Sequence, residues 1–351
     1  MKVAIFLPNW LGDLVMATPV LRAMRRHLGP DALIVGIMRP YLADLLAGTD
    51  WLSEQWHYDP RSKDSGLRPW ALTRRLRRRR FDMALMLPHS LRPAVVAYLG
   101  GVKERIGYVR NLRGPLLTRK LHYRRAGRRL VPVPVVDTFL ALAKAAGCGP
   151  ESPRLELATT EAEEREADGV FERLGLRDDG RVLAFNCSGA YGGTKLWPVE
   201  YFGKLARRVV EQTDHDVLVM CGPDEQETAR EIVRLADRPR VFSMADQPLD
   251  LGTAKACMRQ SRLMVSTDSG PRHVAAAFGK PLVTLFGPLL PIWSENPTQR
   301  AVNLCLDLDC IGCRRRVCPL GHHKCMRGLS VEMVYAEVVK LLEEGTSVKA
   351  A

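Results

Sequence analysis

The stretch Val265–Pro288, V-S-T-D-S-G-P-R-H-V-A-A-A-F-G-K-P-L-V-T-L-F-G-P, constrains the fold of this chain more than any other. Two apolar runs, Arg262 to Val265 and Pro281 to Phe286, lack polar alternation, as parallel strands buried on both faces do. Between them a polar turn opens a short alanine-rich helix. Strand, helix, strand is a βαβ unit, and it implies a parallel sheet covered by helices. Ligands of such units gather beyond the carboxyl ends of the strands, and a turn with Ser269 and Gly270 at a helix start offers free backbone N–H groups to an anion. Asp268, at the strand end, faces whatever else is bound there. A βαβ turn by itself also occurs in sheets that bind nothing.

Two other stretches repeat the arrangement. K-V-A-I-F-L-P-N-W-L-G-D-L-V-M-A-T-P runs from a strand through a turn at Pro8 to Asp13 into a helix, and V-L-A-F-N-C-S-G-A-Y-G-G-T-K-L-W-P leaves a strand through a glycine-bearing loop carrying Lys195. With 351 residues the chain exceeds the size at which one core keeps growing, so two domains of roughly 150–190 residues are expected. The turn Gly147 to Pro150 with Ser152-Pro153 makes the linker, giving domains 1–155 and 156–330 and a C-terminal helix and tail, 331–351.

The net charge of +13 is unevenly spread. Residues 1–150 hold 26 lysines and arginines against 10 acidic residues, and the remainder holds 26 against 29. The basic half suits a phosphorylated glycolipid, an anionic membrane surface or nucleic acid, or is a solvated arginine-rich face. Nucleic acid is disfavoured, because no aromatic-interleaved basic motif or reader fold is present. No apolar run reaches the roughly 20 residues of a membrane span, and the N-terminus enters a strand without a basic leader, which predicts a cytoplasmic protein.

Along the first half, strands are expected at Val3–Leu7, Ala32–Met38 and Phe81–Pro88. One continuous helix, Leu14–Arg26, should turn Val15, Pro19, Leu21 and Met24 to the sheet, and a helix ending in Arg74-Arg75-Leu76-Arg77-Arg78-Arg79-Arg80 precedes the third strand. Residues 105–129 read as loop with short helices, and Asp137–Ala146 as a helix. The second half alternates helix Thr160–Leu174, strand Arg181–Asn186, helix Pro198–Gln212, strand Asp216–Cys221, helix Asp224–Leu235 and helix Gly252–Gln260, and closes with helix Val331–Glu344. This is a doubly wound α/β pattern without internal sequence repeat.

Among candidate residues, Lys195 follows a loop that lacks the Walker A spacing but can clamp a diphosphate; the plain alternative is a surface lysine. Asp13 at a strand-to-helix turn is either a first-turn carboxylate or a base for an acceptor hydroxyl. His273, three residues after Gly270, either donates to an anion or packs. Cys148, Cys187, Cys221, Cys257 and Cys305 read as small buried hydrophobes. Cys310, Cys313, Cys318 and Cys325 form C-x2-C-x4-C-x6-C beside His322 and His323. That spacing suits tetrahedral zinc or an iron–sulfur cluster, with a disulfide or free thiols as alternatives.

Three motifs in this order, P-N-W-L-G-D-L-V-M-A-T-P, C-S-G-A-Y-G-G-T-K-L-W-P and D-S-G-P-R-H-V-A-A-A-F-G-K-P-L-V-T-L-F-G-P, together with F-D-M-A-L-M-L-P-H-S-L-R-P-A and G-Y-V-R-N-L-R-G-P-L-L-T, resemble the ADP-heptose:lipopolysaccharide heptosyltransferases, most closely the heptosyltransferase II type. The resemblance implies a GT-B architecture, two Rossmann-like domains facing across a cleft, with the acceptor on the N-terminal domain and the nucleotide sugar on the C-terminal one. It further implies an inverting transfer of heptose from ADP-L-glycero-D-manno-heptose to a heptose of the lipid A–core acceptor, at the inner membrane surface and with no cofactor required for the chemistry. Asp13 matches the general base and Lys195 the diphosphate lysine. Asp268 matches the aspartate on the heptose hydroxyls, with Ser269, Gly270 and His273 at the phosphates and Leu249, Ser188 and Gly189 lining the adenine side. Met244-Ala245-Asp246-Gln247 departs from the family's usual turn. The cysteine quartet has no part in the family's chemistry and reads as a metal site or a staple of its loop. A GT-B enzyme with another donor or acceptor, or a metal- or redox-binding protein using the quartet, are the competing readings.

Overall fold

The computed structural model describes residues 1–127, 129–189 and 191–347. Arg128, Ala190 of the glycine-bearing loop, and the tail 348–351 lie outside the described residues. The chain forms two compact units, Met1–Ala158 with Ser294–Pro297, and Thr159–Trp293 with Thr298–Ala351.

The first unit runs β1 (Lys2–Phe6), α1 (Leu11–Met16), α2 (Thr18–Leu28), β2 (Leu33–Met38), β3 (Glu54–His57), α3 (Pro69–Arg79), β4 (Met83–Met86), α4 (Leu91–Leu99), β5 (Glu104–Tyr108), β6 (Arg119–Leu121), β7 (Arg125–Ala126), β8 (Arg129–Leu130) and α5 (Val135–Ala145). Its six-stranded sheet has the order β3-β2-β1-β4-β5-β6, all neighbours parallel. Strand order reverses beside β1, so the loops leaving β1 and β4 diverge and open a crevice at their carboxyl ends. The continuous helix expected over Leu14–Arg26 is instead two. Ala17 sits between them, and Pro19, in the first turn of α2, cannot donate the N–H that a single helix would need there. Val15, Pro19, Leu21 and Met24 are buried as the periodicity requires.

Residues 105–129 depart from the loop reading, since β5 and β6 extend the sheet through them. The charged residues Glu104, Arg105, Arg119 and Lys120 mask the strand pattern, and only pairing of β5 with β4 and of the edge strand β6 with β5 reveals it. In α3, Leu72 and Leu76 are buried, while Arg74, Arg75, Arg77, Arg78, Arg79 and Arg80 are exposed. Three of these are tied down: Arg75 stacks 4.0 Å from the Trp56 ring, Arg77 donates to the Leu99 carbonyl at 2.6 Å, and Arg79 pairs with Glu54 at 2.9 Å.

The second unit runs α6 (Glu161–Leu174), β9 (Val182–Asn186), α7 (Val199–Gln212), β10 (Asp216–Met220), α8 (Gln226–Ala236), β11 (Val241–Ser243), α9 (Leu251–Gln260), β12 (Leu263–Thr267), α10 (Gly270–Ala277), β13 (Leu282–Phe286), β14 (Ala301–Cys305), α11 (Lys324–Arg327) and α12 (Val331–Ser347). The order β11-β10-β9-β12-β13-β14, again all parallel, repeats the topology of the first unit without repeating its sequence. Phe185, Trp197, Phe202, Val209 and Val334 belong to the core on the α7–α12 side. Trp197 stands edge-on to Phe202 at 4.9 Å and its indole N–H donates to the Leu329 carbonyl at 2.9 Å, which pins the end of the glycine-bearing loop. Among the described residues no helix is long and apolar enough to cross a membrane.

Helix α6 starts with a full capping box. The Thr160 hydroxyl accepts from the Glu163 N–H, and the Glu163 carboxylate accepts from the Thr160 N–H at 2.7 Å. Thr160→Ala should therefore lower stability by about 1 kcal/mol. Urea titration followed by circular dichroism should show a lower midpoint with an unchanged slope.

Candidate functional site

In the second unit, four of the residues singled out from sequence converge at the carboxyl ends of β9 and β12. Lys195 ends a short 3₁₀ turn, Gly193–Lys195, and is held inward by the buried Trp197 two residues on. Its ammonium donates to the Asp268 carboxylate at 2.7 Å and to the Asp268 carbonyl at 2.6 Å. Both side chains are nearly inaccessible, at 11% and 12% exposure, so this is a desolvated ion pair and not a surface lysine.

The other Asp268 oxygen faces Arg272, whose Nε lies 3.4 Å away, too poorly aligned for a hydrogen bond. Arg272 is completely buried, and its Nε and one Nη have no hydrogen-bond partner. Burial depresses its pKa, with Asp268 opposing. Lys195 and Arg272 against one Asp268 leave a surplus of one positive charge in a site withdrawn from water. Such a cluster is costly alone and is satisfied by an anion.

Two neutral groups complete the surroundings. His273 is buried, its Nδ1 has no partner, and its pKa lies well below the usual imidazole value because of burial and the nearby Arg272 and Lys195 charges. It is therefore a neutral hydrogen-bonding group at pH 7. Ser269 occupies the N-cap of α10 but its side chain makes no cap bond. Its hydroxyl is engaged by Asn186, whose Nδ2 donates to Ser269 Oγ at 2.7 Å and to Ser266 Oγ at 3.0 Å. The first-turn N–H groups of Gly270 and Arg272, Pro271 between them having none, are thus left for an external acceptor.

Ser188 donates to Asn186 Oδ1 at 3.0 Å, and its carbonyl accepts from Thr267 Oγ1 at 2.6 Å. Gly189 follows it, and a Cβ there would come within 2.9 Å of the Leu196 side chain. Leu249 lies half-buried just ahead of α9, in the connection leaving β11. Asn186 and Arg272 escaped the sequence reading. Their signals were an asparagine ending an apolar strand, and an arginine four residues after Asp268 on one helical face.

Asp13 belongs to the first unit, in the first turn of α1 beyond β1. Its carboxylate and the Arg39 guanidinium both lie within electrostatic reach of the Tyr41 hydroxyl, which donates to the Asn9 carbonyl. Beyond the ends of β1, β2 and β4 a small cavity is lined by Asn9, Arg39, Tyr58 and Arg92. The Tyr58 hydroxyl, 9% exposed as a residue, has no hydrogen-bond partner there. These residues were not singled out from sequence, because they come from three separate loops.

All four cysteines of the quartet are free thiols. Cys310, Cys313 and Cys318 are near enough to Cys325 to raise its pKa, after burial. Among the described residues no group of three or more His, Cys, Asp or Glu side chains is arranged to hold a metal ion.

Residues 69–324 match the model of glycosyltransferase family 9 (heptosyltransferase). The chain belongs to this family. It is a glycosyltransferase of GT-B fold, as its motifs lead one to expect. It is 26% identical to lipooligosaccharide heptosyltransferase 2 of Campylobacter jejuni, over 98% of this chain and 99% of the relative. It is 25% identical to lipopolysaccharide heptosyltransferase 2 of Escherichia coli, over 97% and 99%. The solved structure of E. coli ADP-heptose LPS heptosyltransferase II superposes with a TM-score of 0.79 at 22% identity, covering 99% of this chain and 100% of that one.

Two outcomes follow from the buried charges. Lys195→Ala should weaken ADP binding by about 1.5–3 kcal/mol, roughly 10- to 150-fold, in calorimetry. Because folding depresses the His273 pKa, the unfolded chain alone takes up this proton below about pH 6.5, so the residue lowers stability as pH falls through that value. His273→Gln should make the decline of stability between about pH 7 and 5 shallower by up to ~1.4 kcal/mol per pH unit.

Proposed function

We propose that this glycosyltransferase moves heptose, with inversion, from ADP-L-glycero-D-manno-heptose to a heptose of the lipopolysaccharide inner core. The observation that carries the reading is the buried Lys195–Asp268–Arg272 cluster with its surplus positive charge, at the start of a helix that no side chain caps. Similarity along the whole chain to heptosyltransferases 2 supports the choice of sugar and acceptor.

In this reading the second unit binds the donor. Lys195, the N–H groups at the start of α10 and neutral His273 receive the diphosphate, Asp268 holds heptose hydroxyls, and Ser188, Gly189 and Leu249 line the adenine side. The first unit binds the acceptor. Asp13 removes the proton of the attacking hydroxyl as its oxygen bonds to the anomeric carbon. The bond from that carbon to the phosphate oxygen breaks, and ADP leaves with its added charge stabilised by fixed donors. Each step is assigned to this chain's own residues, with none routed through a metal.

Arg39, Arg92 and Tyr58 offer donors to anionic groups of a phosphorylated acceptor. The exposed arginines of α3 that are not tied to carboxylates or carbonyls, Arg74 and Arg78 among them, suit attachment to the anionic inner face of the membrane, so the enzyme works as a cytoplasmic, peripheral protein.

Asp13→Asn should leave ADP affinity intact and lower turnover about 10²–10⁴-fold in an assay with ADP-heptose and a truncated lipopolysaccharide acceptor. Near-normal turnover would remove Asp13 from the mechanism. Absence of transfer by the parent enzyme would overturn the assignment of substrates.

A further inference from the structure

The segment from Leu306 to Ser330, between β14 and α12, carries the four cysteines and has no part in the chemistry derived above, yet it grips the loop that delivers Lys195. On one side, the Tyr191 hydroxyl donates to the Arg314 carbonyl at 2.7 Å, and Thr194 Oγ1 donates to the Arg315 carbonyl at 2.6 Å. Gly192, at φ +141°, lets the Arg316 backbone approach, since a Cβ there would meet the Arg316 carbonyl at 2.9 Å. On the other side, His323 Nε2 bonds the Thr194 carbonyl at 2.8 Å. The residue before Lys195 is therefore held through both its side chain and its backbone.

The grip is itself anchored. The Arg314 N–H donates to the Pro288 carbonyl at 2.8 Å, just beyond β13. A Cβ on Gly287 would lie 3.2 Å from Cys325 Sγ, so that cysteine packs against the same strand end. The Gly321 N–H donates to the Cys318 carbonyl at 3.2 Å, and the backbone N–H groups from Leu320 to His323 lie close enough to the Cys318 thiol to lower its pKa, so the residue bonded to Thr194 sits in a turn built around a cysteine of the quartet. Arg314 and His323 both adopt left-handed backbone, at φ 56° and 49°, a conformation that persists where neighbouring contacts determine it.

We propose that the cysteine loop is a positioning clamp for the donor site: the clustered thiols fix His323 and the Arg314–Arg316 backbone, and these hold Lys195 where it meets the donor diphosphate. His323 is then a positioning residue, acting through Thr194 and touching no substrate. The inference rests on the reading of Lys195 as the diphosphate lysine.

The test uses the full chain. His323→Ala should raise the Kd for ADP and the donor KM about 5- to 10-fold, the loss of one half-buried hydrogen bond, with the acceptor KM unchanged. His323→Gln, which keeps an N–H donor, should restore most of the loss, as a merely space-filling histidine would not require. Cys318→Ser should move the same donor constants in the same direction, whereas Cys148→Ser, in the first unit, should not. Should His323→Ala fold poorly, Tyr191→Phe removes one bond of the clamp and should raise the Kd for ADP a few-fold. Unchanged ADP affinity in His323→Ala, Tyr191→Phe and Cys318→Ser, alongside a loss in Lys195→Ala, would overturn the clamp and leave the donor site standing. Unchanged affinity in Lys195→Ala as well would overturn the donor-site reading beneath it.

Discussion

The desolvated pair between Lys195 and Asp268 is the contact on which the rest of the second unit's site depends. It joins the loop after β9 to the end of β12, two segments distant in sequence, and does so twice, through a carboxylate and a carbonyl oxygen. Two charges withdrawn from water are retained at a cost of several kcal/mol each unless their geometry and hydrogen bonds offset it. Here Arg272 faces the second carboxylate oxygen and tips the balance to a net positive charge. A buried cluster so arranged is suited to exchanging a partner for an incoming anion, and less to stabilising the fold by itself.

The surroundings keep that cluster from relaxing. Asn186 reaches Ser266, Ser269 and Ser188 at once and thereby fixes the start of α10 relative to β9. His273 stays neutral because protonation would add a third cation to a dry site. Trp197 anchors the end of the lysine loop in the core, and the cysteine segment holds its middle. Rigid placement of charged donors is what lets such a site stabilise a leaving diphosphate without reorganising at the moment of reaction.

The two units have one strand order and different loops. In both, the reversal of strand order opens a crevice at the carboxyl ends, and the loop after the central strand carries the candidate residues: Asp13 after β1, and Ser188 to Lys195 after β9. The charge differs as well, since the first unit is strongly basic and the second nearly balanced. In the proposed function the same scaffold serves a phosphorylated acceptor in one unit and a nucleotide sugar in the other. This division is decided by loops and not by the sheets.

Much of this was legible in the chain. Buried parallel strands announce themselves as unbroken apolar runs, and turns ending in Gly, Ser and Asp mark where helices begin, so the α/β class, the alternation and most helix positions follow from sequence periodicity. The motifs around Asp13, Lys195 and Asp268 named their family. What escaped were features without a local signal. The strands β5 and β6 read as basic loop because Glu104, Arg105, Arg119 and Lys120 interrupt their short apolar pattern, and the helix break at Ala17 hid inside one apolar period. Arg272, Asn186 and the Tyr58 pocket acquire meaning only from neighbours far along the chain, and so does the grip of the cysteine segment on Thr194. Sequence by itself determined which segments are strands and which turns carry the chemistry, because those depend on periodicity and local backbone preference. Tertiary structure alone decided which charges meet, which of them lose their water and which loop holds another, because burial and pairing arise only when distant segments pack.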